Sequence, residues 1–165
     1  MPKFSALVRA TQQDIEFLPR CLESVKIAND VVLIDADRDE SVRKIGRQHG
    51  GRVLNGIPGV TPGAYLTNAF HNWILVIRPF EELSTDLIRS LEEWKRQKRD
   101  DTTGYGFGII EQSGQSWIPR KPELRLVNRK LINWMGDFPP NTSAPLLPGS
   151  ILRHRELENQ ERIAS

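Results

Sequence analysis

Four charged side chains stand at or just past the ends of short apolar runs: Arg9 after Phe4–Val8, Asp35 and Asp37 after Val31–Ile34, and Arg78 after Trp73–Ile77. If the runs are strands of an open α/β sheet, their carboxyl ends border the crevice in which ligands settle. Arg9 suits a base or phosphate contact there, and suits an edge salt bridge equally well. Asp35 has the position of a residue that caps the turn before a helix, and Asp37 that of a solvated loop acid. Zinc chemistry has no comparable anchor, because His49, His71 and His154 are far apart and lack a ligand-spaced partner. The single cysteine, Cys21, adjoins the apolar face of a helix and reads as a small core residue rather than a nucleophile.

The elements that must position these residues follow from periodicity. Ser5–Val8 is short, apolar and flanked by polar residues, as a buried strand is. After the polar turn Thr11–Asp14, the residues Ile15, Leu18, Leu22 and Val25 recur at helical spacing, and Pro19 fits only a first turn, which predicts a helix over Leu18–Lys26. Val31–Ile34 is a second strand, Asp39 caps a helix carrying Val42 and Ile45 that stops before Gly50–Gly51, and Arg52–Leu54 is a third strand. A loop holding Gly56, Pro58, Gly59, Pro62 and Gly63 leads to a short helical piece over Ala64–Phe70 and then to the strand Trp73–Ile77. Ser84 caps a helix with Leu87, Ile88, Leu91 and Trp94 on one face, ending near Arg99. Its basic residues Arg89, Lys95, Arg96, Lys98 and Arg99 share the helix with Glu92 and Glu93, so they read as a solvated face. Such alternation predicts right-handed βαβ crossovers and a mainly parallel sheet.

The pattern changes after Asp101. Gly104, Gly106 and Gly108 alternate with Tyr105, Phe107 and Ile109, the period of a strand. Six of the eleven prolines fall between Pro119 and Pro148, which predicts an irregular stretch with one strand at Leu124–Val127. The charge-mixed tail Leu152–Ala164 reads as helical.

At 165 residues, 38% hydrophobic and 27% charged, the chain has the composition of one soluble globular domain. A net charge of +2 is too small to imply a nucleic-acid partner. One cysteine and no apolar run of signal-peptide length predict a reducing, cytoplasmic setting. No stretch approaches the ~20 apolar residues of a membrane span, so any membrane contact is peripheral, at the inner face. The oligomeric state is left open.

Four segments, in order, resemble a family 2 glycosyltransferase of the kind that builds bacterial lipopolysaccharide core and other cell-envelope glycans. Phe17–Val25 is similar to the first helix after the nucleotide-binding strand. Val31–Asp35 with Asp39–Val42 resembles the second strand, its aspartate and the acidic start of the next helix. Trp73–Ile77 with Glu81–Ser84 resembles the strand and helix that bracket the metal motif, and Glu123–Val127 with Trp134 and Gly136 the strand leading to the acceptor side. The resemblance implies a GT-A-like, Rossmann-like α/β fold with a mainly parallel sheet flanked by helices, as a single domain over 1–165. Residues 1–101 would form the nucleotide-binding half, and 102–165 a shortened, irregular, Pro-rich acceptor half and tail. It also implies a nucleotide or nucleotide-sugar ligand bound by Arg9, Asp35, Asp37 and Arg78, with a glycan acceptor. Trp117 and Trp134 could stack on a sugar ring, although packing against the sheet is the stronger reading.

The chain departs from that family where the metal should sit. Arg78-Pro79-Phe80 replaces the family's Asp-x-Asp, and neither Arg nor Phe ligates a hard cation, so no divalent metal is expected. A guanidinium can instead pair with a diphosphate bidentately. Glu81 and Glu82 would begin the following helix and point elsewhere. The family's catalytic base has one near candidate, Asp137. Two readings stay open: a transferase that works without the metal, with catalysis impaired or not, and a non-catalytic relative that binds a nucleotide, a glycan or a protein. A third, an unrelated nucleotide-binding α/β domain, would be supported by a doubly wound sheet that continues in parallel after Trp94.

Overall fold

The structure, a computed structural model, describes residues 1–98 and 100–164. Among these, eight strands form one sheet. In chain order the elements are β1 (Phe4–Ala10), α1 (Leu18–Ser24), β2 (Asp30–Asp35), α2 (Glu40–Gln48), β3 (Arg52–Asn55), a 3-10 segment (Pro62–Asn68), β4 (Trp73–Ile77), β5 (Glu81–Leu83), α3 (Thr85–Lys95), β6 (Gly104–Ser113), β7 (Ser116–Asn128), β8 (Leu146–Arg153) and α4 (Asn159–Ala164). The sheet order is β3-β2-β1-β4-β7-β6-β8-β5. β3, β2, β1 and β4 are parallel neighbours, as are β6 and β8, while β4–β7, β7–β6 and β8–β5 are antiparallel. The mainly parallel α/β sheet implied by the βαβ alternation is present, and its turn to antiparallel pairing after β4 withholds from the unrelated-domain reading the parallel continuation that would support it.

The first half forms as its sequence dictates. Pro19 sits in the first turn of α1, Asp39 caps α2 by accepting a hydrogen bond from the Val42 N–H (3.1 Å), and Ser84 caps α3 by accepting one from the Leu87 N–H (3.2 Å). The Ser84 hydroxyl oxygen also accepts from the Ser150 N–H (3.1 Å), which ties β8 to the start of α3. Ser84→Ala removes both bonds and should cost about 1–2 kcal/mol, measurable as a lowered urea midpoint. α3 ends at Lys95, sooner than the helical pattern predicts, and Arg99 lies outside the described residues.

Alternation along β1 divides the core. Phe4, Ala6, Val8 and Ala10 face the helices α1–α3, where Trp94 packs edge-on against Phe4 and Trp73. Leu7 faces the other way, toward Val32, Ile34, Ile74 and Val76, and this second face is covered by Leu66, Ala69 and Trp134. Trp134 is thus a core residue, brought in by the irregular chain between β7 and β8. Trp117 is exposed, with its edge against the His154 ring.

The carboxyl-terminal half differs from expectation in two places. The strand at Leu124–Val127 extends back to Ser116 through Pro119 and Pro122. β4 pairs only with the Leu126–Asn128 end of β7, so this stretch lies beyond the ladder to β4. Most of Leu152–Ala164 is not helical: β8 runs to Arg153, and α4 begins only at Asn159. Glu81 and Glu82 do not open a helix either. They form β5, paired with Leu152 and Arg153 of β8. None of the described helices is long and apolar enough to cross a membrane.

Candidate functional site

A cleft of about 350 Å³ opens beyond the carboxyl ends of β1 and β4. Arg9 and Thr11 enter it from β1 and its following turn, and Arg78, Pro79 and Phe80 from the turn after β4. Asp137 and Phe138 close it from the segment between β7 and β8, and Arg155 and Glu161 from the carboxyl-terminal segment. Three of the five residues singled out from sequence therefore meet: Arg9, Arg78 and Asp137. Asp35 and Asp37 are not among the described lining residues. Asp35 is fully buried, accepting from the Asp39 N–H (3.0 Å) and Arg43 Nε (3.1 Å), which is the turn-capping arrangement. Asp37 is exposed.

Asp137 reaches the cleft through a close backbone approach. Gly63, in the 3-10 segment, donates its N–H to the Gly136 carbonyl (3.0 Å), and a Cβ there would stand 2.7 Å from the Trp134 carbonyl oxygen. Only a glycine lets the two segments lie this close.

Arg78 belongs to a buried charge network. Arg125 donates to both oxygens of Glu81 (2.9 and 3.0 Å), to Glu123 (3.1 Å) and to the Val76 carbonyl (3.0 Å). Arg153 reaches Glu81 (2.8 Å), Glu111 (3.0 Å) and Glu123 (2.6 Å). Arg78 lies 3.6 Å from both Glu81 and Glu123. The Phe138 ring covers this cluster, with the Arg78 and Arg125 guanidinium carbons 4.1 and 4.3 Å from its centroid, a geometry that adds cation–π attraction. Burial pushes the Glu81 carboxyl up, but Arg125 and Arg78 outweigh it and hold the group well below the usual carboxylate range. Burial likewise lowers Arg78, against the opposing pull of Glu81.

The charges at the cleft therefore differ in availability. Arg78 is flanked by two carboxylates. Asp14 is occupied in a capping box, accepting from the Thr11 N–H (2.8 Å) and hydroxyl (3.1 Å). Arg9 is half-buried and has no ion-pair partner among the described residues. Arg155 lies over the Phe80 ring, 3.7 Å from its centroid, and pairs with Glu161 (3.1 Å). No group of three or more His, Cys, Asp or Glu able to hold a metal ion occurs among the described residues. Cys21 is buried, its thiol directed at the Arg78 carbonyl (3.4 Å) and pushed well up by burial and by Glu81, which is the state of an inert core thiol.

Sequence reasoning missed the network. Arg125 and Arg153 lie in strand alternation, between Leu124 and Leu126 and after Ile151-Leu152, where a charged residue reads as facing water. The alternation itself was the signal, since an arginine in each of two apolar strands needs carboxylates if the opposite face is covered.

No family model matches the sequence, and no curated protein matches it either. Solved structures do resemble the fold. TarS of S. aureus (residues 1–349) matches 72% of this chain at 12% identity with a TM-score of 0.47, over 38% of its own length. Glucosyl-3-phosphoglycerate synthase of Mycobacterium tuberculosis, in complex with phosphoglyceric acid, matches 69% at 10% identity with a TM-score of 0.49, over 45% of its length. The chain thus spans less than half of each. 4-Diphosphocytidyl-2C-methyl-D-erythritol synthase of Anaerococcus prevotii matches 79% of the chain and 71% of its own length, at 12% identity and a TM-score of 0.50. Together with the strand order, that likeness shows a GT-A-like, Rossmann-like α/β fold.

Proposed function

We propose that the chain is a nucleotide-sugar-binding protein of the family 2 glycosyltransferase type, transferring a glycosyl group to a cell-envelope glycan without a bound divalent metal. The observation that carries the reading is the convergence of Arg9, Arg78 and Asp137 on one cleft beyond the carboxyl ends of β1 and β4, the position at which open α/β sheets take their ligands. In this reading Arg9 and Arg78 supply the positive field for the diphosphate, and Asp137 takes the acceptor hydroxyl's proton. The family resemblance assigns Asp35 and Asp37 to the nucleotide as well; Asp35 would act by holding the loop after β2 through Arg43 and the Asp39 N–H. The glycosyltransferases and the nucleotidyl-type synthase among the fold's neighbours are compatible with a nucleotide-linked donor. The cytoplasm, with contact at the inner membrane face, is the setting this function would need.

A non-catalytic variant of the same reading is favoured by one observation: Arg78 stands where the family's metal carboxylates stand, and its charge is already balanced by Glu81 and Glu123. Calorimetric titration with uridine, guanosine, thymidine and cytidine diphosphates, each with Mn²⁺ and with chelator, tests the site. We expect one nucleotide to bind, with the same affinity in both conditions, and Arg78→Ala to weaken it. Strengthening by Mn²⁺, or binding by none, would remove the proposal. Slow hydrolysis of the matching nucleotide-sugar, lost in Asp137→Asn, separates the catalytic from the non-catalytic version.

A further inference from the structure

We propose that the carboxyl-terminal segment is an internal competitor for the cleft: the Glu161 carboxylate, paired with Arg155, occupies the place of a phosphate, and a diphosphate group binds by displacing it. The inference rests on the nucleotide-binding reading and adds to it a cationic residue, Arg155, and a competing anion.

Arg155 donates to both oxygens of Glu161, Nη1 to one (3.1 Å) and Nη2 to the other (3.4 Å). Two parallel N–H bonds to two oxygens are the geometry with which a guanidinium also takes a phosphate. The arginine has holds other than the glutamate: its guanidinium carbon lies over the ring of Phe80, which is itself buried, and its Nη1 also reaches the Glu156 carbonyl (3.5 Å). When the carboxylate leaves, the cation stays in the cleft. Of the three lining arginines, Arg78 is flanked by Glu81 and Glu123 from β5 and β7, and Arg9 forms no ion pair among the described residues. Arg155 is the one whose charge a ligand can claim by exchanging one anion for another. The exchange favours the ligand, since a diphosphate brings more charge than a carboxylate and also meets Arg9. Glu161 sits on α4, a helix of six residues joined to β8 by a short non-helical link. Its pair with Arg155 is about one-third exposed on both sides, so water and salt weaken that pair against a competing anion; the same carboxylate also accepts from the Glu158 N–H (3.4 Å).

The test is calorimetric titration of the full chain at low ionic strength with inorganic pyrophosphate and with the four nucleoside diphosphates. The proteins are wild type, Glu161→Gln, Arg155→Ala and Glu156→Gln. Glu156 is an exposed acid of the same link, outside the cleft lining, and controls for the loss of one negative charge. Each protein's melting curve confirms that it is folded. Glu161→Gln should bind about three- to tenfold more tightly than wild type, the size of a partly exposed ion pair removed from competition. Arg155→Ala should bind more weakly, and Glu156→Gln should match wild type. In wild type, saturating pyrophosphate should also speed amide exchange over residues 159–164. Equal or weaker binding by Glu161→Gln, or unchanged exchange at saturation, would overturn the competition while leaving the nucleotide reading in place. A Glu161→Gln gain seen with pyrophosphate and with no nucleotide would keep the competition and remove the nucleotide reading. Absence of binding by every protein overturns both.

Discussion

A Glu81→Gln protein should be about 3–5 kcal/mol less stable than its parent, a loss of roughly 6–20 °C in melting temperature for a chain of this size. The substitution keeps the shape of the side chain and removes its charge. Arg125 and Arg153, both fully buried, would then share only Glu123 and Glu111, and Arg78 would lose one of its two flanking carboxylates. An uncompensated buried guanidinium is costly because little water reaches it. The same network sets an acid limit. Glu111 accepts from Arg162, Arg153, the Leu157 N–H and Arg120; burial raises its carboxyl, but these bonds prevail and bring it from an ordinary 4.5 to about 2. A carboxylate held low in the folded state stabilises it above its unfolded value, and that contribution is lost as pH falls through the folded one. Stability should therefore decline from about pH 4.5 toward pH 2, and Glu81→Gln should flatten the decline. A urea midpoint unmoved by the substitution at pH 7 would mean that the network carries no net charge balance.

Gly149→Ala should cost about 2–5 kcal/mol, from two sources that both act on the backbone. Its φ is +104°, a conformation that side-chain-bearing residues adopt at a cost of about 1–3 kcal/mol. A Cβ there would also stand 2.3 Å from the Leu87 nitrogen and 2.6 Å from its Cα. Those atoms belong to the first turn of α3, so either the helix or β8 must shift. The shift would strain the Ser84–Ser150 bonds and move Arg153, three residues on from Ser150, out of register with Glu81. Circular dichroism melts of Gly149→Ala beside Ser84→Ala separate the two effects. The glycine variant should fall further, and a smaller loss would show that β8 can draw back from α3 at little cost.

How much of this was legible follows from how local each signal is. α2 and α3 announce themselves through Asp39 and Ser84 and their apolar spacing, and β1, β2 and β4 are apolar runs buried on both faces. All of these depend on neighbours a few residues away. Arg9, Arg78 and Asp137 could be nominated because strand ends are readable and the resemblance marked the rest. Arg155 and Glu161 could not, since they enter the cleft only because β8 pairs with β5 and carries the tail across. β5 was hidden for the same reason: three residues, Glu81-Glu82-Leu83, have no periodicity of their own and look like the acidic start of α3. The Pro-rich stretch was misjudged where Pro119 and Pro122 fall in a strand, because which of its sections pair on both sides is decided by the sheet order and not by the strand's own residues.

The charge network also bears on how the protein is made. Glu81 waits for partners 44 and 72 residues further along the chain, Arg125 and Arg153. During synthesis β1 to β4 and the helices beside them can assemble while Glu81 is still exposed to water, but the half of the sheet beyond β4 cannot close without its last strand. A chain halted before Arg153 would have to bury Glu81 and Glu111 without that arginine, or leave β5 and β6 open. Contacts of such sequence separation close slowly, and unpaired strand edges are where nascent chains associate wrongly. β8 thus acts as a completion check, admitting the second half to the fold only once the chain has been made as far as Arg153.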